Sequence, residues 1–407
     1  MAQHFLLSKE AKELSVFEVL TMSDDEVRIR FAQLRWGCAD LQACPDCGLV
    51  DSHKYFPAQR RWRCKSCNWA FSVTTGTVFH RHRLPLRTIF AATLLYANAV
   101  KGVSALQMSR ELKVEHKTAF VLLHKLRESI LKARDTDMFS GEVEIDAAHV
   151  HNYVRPKNVG NARVDRREKE NRNENECIVL VLRERHAKPP VVVVPPPDES
   201  IAAGVPPGET TGVETALSVA TPGAQGALPA EAGPAAPAAT GTATTPRKEK
   251  KKKRRQLGPG AKRTRTFVLR TENKDDVMVI VRANVQAGAK IFSDEAPAYT
   301  DLSANWDHHV VNHSKEYSGE KGENENQAES YIVRFRRMLM GQIHHNHPKY
   351  LDVYANEAGF REDRRRVSNK AFTYEVLEKC LQSGPSADWT GYWQGNHRQD
   401  DPVVSYA

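Results

Sequence analysis

The chain of 407 residues is long enough for two or three domains, each with its own core, and does not belong with mini-proteins that need staples. Lys and Arg number 59 against 50 Asp and Glu, a net +9 that by itself argues only weakly for a polyanionic partner. Residues 247–255 hold eight bases and one acid, +7 of that +9, so the remainder is nearly balanced and any polyanion contact there must come from local patches. Four of the seven cysteines stand in two C-x-x-C pairs, while Cys38, Cys177 and Cys380 are isolated, which is metal usage rather than a secreted disulfide framework. The N-terminal residues lack a signal-peptide core, and no apolar run approaches the ~18 residues of a membrane span. The expectation is a soluble, cytoplasmic protein.

Residues 1–37 read as a helical segment in which Ser23 and Glu26 make a capping-box start ahead of Val27, Phe31 and Leu34 at helical spacing. Packing against the adjoining segment is its plain role. From residue 38 to 83 short strands and turns alternate, with Arg61-Trp62-Arg63 before the second cysteine pair and Ala70-Phe71-Ser72-Val73 after it. Residues 84–135 read as three helices. The first runs from Thr88 to Ala99, the second opens at a Ser104/Gln107 capping box and ends near Leu112, and the third starts at His116 with Ala119, Leu122, Leu126 and Ile130 on one face.

Residues 136–382 form a mixed α/β region with strands at 142–146, Ile178 to Leu182, Phe267 to Leu269 and 290–293, then helices from 326 to about 382. Residues 189–262 interrupt it. This stretch is rich in Pro, Ala, Gly and Thr and ends in the basic run, so it is expected to be a disordered insertion in place of a hairpin turn between adjacent strands. Residues 383–407 are a tail of turn-like composition.

Cys44-Pro-Asp-Cys47 and Cys64-Lys-Ser-Cys67 stand sixteen residues apart, a spacing that brings four thiolates to one tetrahedral zinc in a zinc ribbon. Four ligands leave no open position, so the zinc is structural; a redox role for Cys44 and Cys47 is the competing reading. Arg60, Arg61, Arg63 and Lys65 around Trp62 fit either phosphate contacts or a solvated basic face. The three-helix segment has the turn chemistry of a helix-turn-helix, whose last helix would present His116, Lys117 and Phe120 to DNA bases in a major groove. Three amphipathic helices in a row also occur in proteins that never touch DNA.

In Glu142-Val-Glu-Ile-Asp146, strand alternation puts Val143 and Ile145 on one face and Glu142, Glu144 and Asp146 on the other, with Asp146 closing the strand. Strand ends are where open α/β sheets place ligands. Lys290-Ile-Phe-Ser-Asp294 repeats the arrangement, and Arg336 shares a helix face with Glu329, seven residues before it. Two strand-end aspartates and a helix glutamate are the oxygen ligands that hard divalent cations take. Each acid alone also fits a turn, a cap or a surface helix face. Asn326 is either a further ligand or an N-cap. His313 either contacts metal or phosphate or is one more solvated histidine beside His308, His309, His344, His345 and His347.

Together these residues resemble the DDE transposases of bacterial insertion sequences, specifically the ISXO-type group with an N-terminal zinc ribbon. The matching pieces include Arg35-Trp36 ahead of Cys44-Pro-Asp-Cys47-Gly48, Thr75-Gly76-Thr77-Val78-Phe79, Thr118-Ala119-Phe120 and Val143-Glu-Ile-Asp146. Ser293-Asp294-Glu295, Asn312-His313-Ser314, Asn326-Gln-Ala-Glu329, Gly341 and Lys349 to Arg361 continue the match to about residue 370. The resemblance implies a multidomain α+β chain of zinc ribbon, helix-turn-helix and an RNase H-like catalytic domain interrupted by the insertion. It also implies Mg²⁺ or Mn²⁺ on Asp146, Asp294 and Glu329, with Arg336 where the family usually has lysine and Asn326 and His313 nearby. The implied activity is binding of terminal inverted repeats in double-stranded DNA, hydrolysis at each element end and attack of the freed 3′-hydroxyl on target DNA. A dimer or larger synaptic assembly in a bacterial cytoplasm goes with it. Ala147 departs from the pattern, since the family usually has an acid there. A domesticated DNA-binding protein without activity and a metal-dependent nuclease without strand transfer are the rival readings.

Overall fold

The computed structural model describes residues 5–151, 176–186, 261–311, 326–344 and 346–398. His313, His345, the basic run and nearly all of the expected insertion lie outside them, and Asn326 is described by its backbone alone. The described residues belong to one compact unit, and none of their helices is long and apolar enough to cross a membrane.

Both N-terminal helices, α1 (Val16–Thr21) and α2 (Asp24–Trp36), begin at reciprocal capping boxes, Ser15 with Glu18 and Ser23 with Glu26. Helix α2 stops at Gly37, whose φ of 74° lies in the left-handed region that a side chain would disfavour. Next come a two-stranded hairpin, β1 (Gln42–Ala43) with β2 (Val50–Asp51), and an antiparallel sheet of β3 (Lys54–Phe56), β4 (Arg61–Arg63) and β5 (Ala70–Phe71). Trp62 anchors this ribbon. Its buried indole meets Trp36 edge-on at 5.5 Å and stacks on Phe71 at 6.0 Å, while Arg35 donates to the carbonyls of Ser72, Val73 and Thr75. Helix α2 thus packs on the ribbon, as expected for it.

Three helices come next, α3 (Leu86–Asn98), α4 (Ala105–Leu112), whose first turn is capped by the Ser104 hydroxyl on the Gln107 amide, and α5 (His116–Lys132). The rest of the chain supplies β6 (Glu142–His151), β7 (Glu176–Arg185), β8 (Ala261–Leu269), α6 (Lys274–Asn284), β9 (Lys290–Ser293), β10 (Asp307–Val310), α7 (Asn326–Met338), α8 (Leu351–Asp363) and α9 (Asn369–Gln382). One face of α5 was expected to be buried, yet from Leu122 to Ile130 nearly every residue is, because α4, α8 and α9 all pack on it.

The main sheet runs β10-β9-β6-β7-β8, with β6, β7 and β8 antiparallel and β9 and β10 parallel to β6 and to each other. Val143, Ile145, Leu180 and Leu182 face a core completed by Val277, Ile280 and Val281 of α6. Ala148, Val150, Val179 and Val181 face Tyr331 and Phe335 of α7 and Leu351 and Tyr354 of α8. A third core joins the ribbon and α3–α5 to Phe372, Val376, Leu377 and Leu381 of α9.

Two expectations need correction. Asp146 does not close its strand: Ala147 to His151 stay in the antiparallel ladder with β7, and only the β9 side of the pairing stops, at Glu144 opposite Phe292. Strand β8 begins at Ala261, so the boundary expected at 262 runs two residues into a strand. The adjacency inferred for the flanking strands is observed, with Ile178 opposite Leu269 and Leu182 opposite Arg265.

Candidate functional site

The four ribbon sulfurs converge. Cys44 Sγ lies 3.6 Å from Cys67 Sγ and Cys47 Sγ lies 3.5 Å from Cys64 Sγ, and all four fall within 4.8 Å of one another. Those separations exceed a disulfide bond and suit a tetrahedral zinc, whose sulfurs at ~2.3 Å from the ion stand about 3.8 Å apart. Among the described residues this is the one set of three or more such ligand atoms drawn so close.

The carboxylates gather at the end of the β6/β9 parallel pair. Asp294 follows β9 directly, and its Oδ1 accepts the Ala296 amide at 3.1 Å. In the register that sets Glu144 opposite Phe292, Asp146 comes level with Asp294 two residues beyond the last pair. Glu329 lies on the first turn of α7. Burial pushes the Asp146 carboxyl up to about 7; the Ala147 amide, donating at 2.7 Å, opposes this, and Asp294, Glu329 and Glu272 add to it in that order.

Helix α7 owes its position to a cross-strand pair. Glu144 and Arg183 stand opposite each other on β6 and β7. Glu144 Oε2 accepts the amides of Gln327 and Ala328, both at 2.9 Å, and Arg183 donates to the Gln327 carbonyl. A carboxylate there meets the orphan donors and positive end of the helix. The other Glu144 oxygen takes Arg185 Nε at 2.6 Å, so this fully buried acid is doubly partnered. Alternation had put Glu144 on the Asp146 face without suggesting that task.

Glu272, between β8 and α6, was not singled out in sequence. It looks there like one more acid at a helix start beside Asp275 and Asp276, and only the fold carries it across to Asp146 and to His149, whose Nε2 is 3.4 Å from its Oε2. Buried Tyr299 stands beside these acids. Burial raises its phenol first, and Glu272, Asp294 and Asp146 add to the effect. Arg336 is exposed on α7.

The residues expected to read bases divide. His116 and Lys117 are exposed at the start of α5, with Lys117 Nζ 4.7 Å from the Trp393 ring centre. Phe120 instead packs among Trp389 at 5.7 Å, Tyr350 at 5.8 Å and His124 at 4.4 Å. The tail, expected to be featureless, supplies Trp389 and Tyr392 to this aromatic cluster and is pinned to α8 by Arg398 on Asp352 at 2.8 and 3.0 Å.

Residues 247–363 match the ISXO2-like transposase domain family, a segment that includes Asp294, Glu329 and Arg336 but neither Asp146 nor the ribbon. An uncharacterized protein in transposable element ISH50 of Halobacterium salinarum is 30% identical over 121 residues, 29% of this chain and 39% of that protein. The chain therefore spans well under two thirds of this relative. No solved structure matches. The two matches support a DDE transposase of the insertion-sequence type, the class that the motifs resemble.

Proposed function

We propose that this protein is a DNA transposase that binds the terminal inverted repeats of an insertion sequence and catalyses metal-dependent DNA cleavage and strand transfer. The observation that carries the reading is the gathering of Asp146, Asp294 and Glu329 where the β6/β9 pairing stops, with burial first and the neighbouring acids after it holding the Asp146 carboxyl up to about 7. Gathering like charges is costly for a chain alone and suits a site for cations. The donor set is all oxygen, comes from a strand, a strand end and a helix, and so fits Mg²⁺ or Mn²⁺, which these three residues would hold. When bound, such ions supply Lewis-acid stabilisation to the attacking and leaving oxygens of an in-line displacement.

The protein's own groups have separable roles. Glu144 and Arg183 fix the first turn of α7 and hence Glu329, while exposed Arg336 is assigned to substrate phosphate, where its guanidinium donates in a fork that lysine lacks. Asn326 begins the same helix and is the alternative third ligand; His313 is assigned to the same neighbourhood by resemblance. A five-stranded mixed sheet covered by helices on both faces supports the RNase H-like reading. Recognition is assigned to the ribbon with its structural zinc and to α3–α5 as a helix-turn-helix. Phe120 serves the aromatic cluster, so base contacts fall to His116 and Lys117. Synapsis of two element ends calls for a dimer or larger assembly.

A strand-transfer assay with a labelled 3′-hydroxyl end tests the proposal. Asp146→Asn, Asp294→Asn and Glu329→Gln are each expected to abolish cleavage and joining while repeat binding stays within a few-fold of wild type. Arg336→Ala is expected to lower activity with metal retained. Cleavage without joining identifies a nuclease, and repeat binding with neither identifies a DNA-binding protein. A dead Asn326→Ala beside an active Glu329→Gln moves the third ligand to Asn326.

A further inference from the structure

The side of the sheet bordered by β8 carries a cavity of about 290 Å³ between the end of α5, the start of β8, α8 and α9. That is the lower end of the size range of ligand sites, roughly 300–1,000 Å³. Six cations line it, Arg134, Lys262, Arg263, Arg265, Arg364 and Lys379, against two acids, Asp135 and Asp363. Phe139 forms part of the wall, with the Arg263 and Arg265 guanidinium carbons 4.9 and 4.8 Å from its ring centre.

The internal pairing does not use up this charge. Arg263 and Lys262 share Glu184, Arg263 also takes Asp135, and Arg364 and Lys379 share Glu375. Arg265 bonds Asn284 and the carbonyls of Asp135 and Asp137, all uncharged partners. Arg134 lies 5.7 Å from the Phe267 ring centre and has no carboxylate partner among the described residues. Burial, and after it Arg134 and Arg263, depress the Arg265 guanidinium, as expected where like charges crowd. Asp363 is tied to the Thr264 amide and hydroxyl at 2.8 and 2.6 Å, and burial pushes it up to about 6, so it offsets the cations weakly in mildly acidic solution.

We propose that this cavity is a second DNA contact, a seat for the phosphodiester backbone of duplex DNA, distinct from the carboxylate cluster and indifferent to base sequence. Planar guanidinium forks and lysine point charges on four elements suit successive phosphates, and no base-reading group is required. In the sequence, the basic run at 247–255 ends seven residues before Lys262. The inference rests on the DNA-transposing function proposed above and gives that function a place to hold flanking or target DNA.

The test uses the full chain with the run at 247–255 intact, a fluorescein-labelled duplex lacking inverted repeats, excess EDTA, and salt from 50 to 200 mM. Arg134→Gln and Lys262→Gln, separately and together, are checked for folding by circular dichroism and thermal melting; Lys379→Gln replaces either if it unfolds. The double variant is expected to bind about ten-fold more weakly at 100 mM salt, with the salt slope falling by about 1.8, or 0.9 for each phosphate no longer neutralised. Arg134→Lys is expected to recover most of the slope. An unchanged slope in a folded double variant overturns the proposal. So does ³¹P line broadening showing that inorganic pyrophosphate saturates the cavity without displacing duplex, which makes it a small-anion site. Wild type that shows this salt slope but no strand transfer counts against the transposase reading and not against this surface, whereas Asp146→Asn is expected to lose strand transfer and keep the slope.

Discussion

Glu144 on β6 accepts the backbone amide of Ala328 at 2.9 Å, and that bond sets the first turn of α7, with Glu329 on it, beside Asp146. Glu144 is fully buried and also holds Arg185. Replacing it with Gln keeps one oxygen acceptor but removes the charge facing both the helix terminus and the guanidinium. Breaking buried pairs costs about 3–5 kcal/mol, and the retained acceptor lowers this toward about 3 kcal/mol for Glu144→Gln. Urea denaturation measures it, with the more exposed Glu142→Gln as the control expected to change stability by under about 1 kcal/mol. Equal losses in the two variants would remove Glu144 from this role.

Asp146 makes a pH-dependent contribution to stability. Its folded pKa, about 7, lies above the unfolded value, so the native state binds the proton more tightly. Stability of the metal-free chain should therefore fall as pH rises from about 4 to about 7 and level off above. Asp146→Asn lacks this loss and still offers an oxygen to the Ala147 amide. In excess chelator it is expected to melt with wild type near pH 4 and to be more stable by a few kcal/mol at pH 8. Mg²⁺ at pH 8 should close that gap by stabilising wild type alone. A gap independent of pH would contradict the assignment.

The ribbon is expected to carry one zinc per chain, detectable by elemental analysis after exhaustive dialysis. Cys64 is buried beside Trp62, so Cys64→Ser should release zinc and red-shift the tryptophan emission as residues 38–80 lose order, since metal binding and folding are coupled in such sites. Metal-replete wild type without zinc would end the assignment.

Phe120 separates packing from reading. Its ring sits against Trp389, Tyr350 and His124, so Phe120→Ala should cost about 3 kcal/mol in urea while leaving the preference for terminal repeats over random duplex unaltered. His116→Ala and Lys117→Ala, at exposed positions, should do the reverse. Lost discrimination in a folded Phe120→Ala protein would restore the reading role.

Local chemistry in the chain determined a good deal. Ser23 and Glu26 define a helix start by hydrogen bonds within four residues, the two C-x-x-C pairs are placed for one ion by their spacing, and apolar alternation over 142–146 separates the faces of β6 correctly. These signals are short-range, so they survive in a string of letters. Tertiary structure decided the rest. Asp146 is mid-strand because β7 goes on pairing after β9 stops, and Glu272 reaches the acids only because the chain turns across the sheet after β8. Glu144 caps a helix 183 residues away, and Phe120 is sheltered by a tail whose composition announced nothing. Each of these depends on burial and on charge brought together over long sequence separations, for which no local pattern exists.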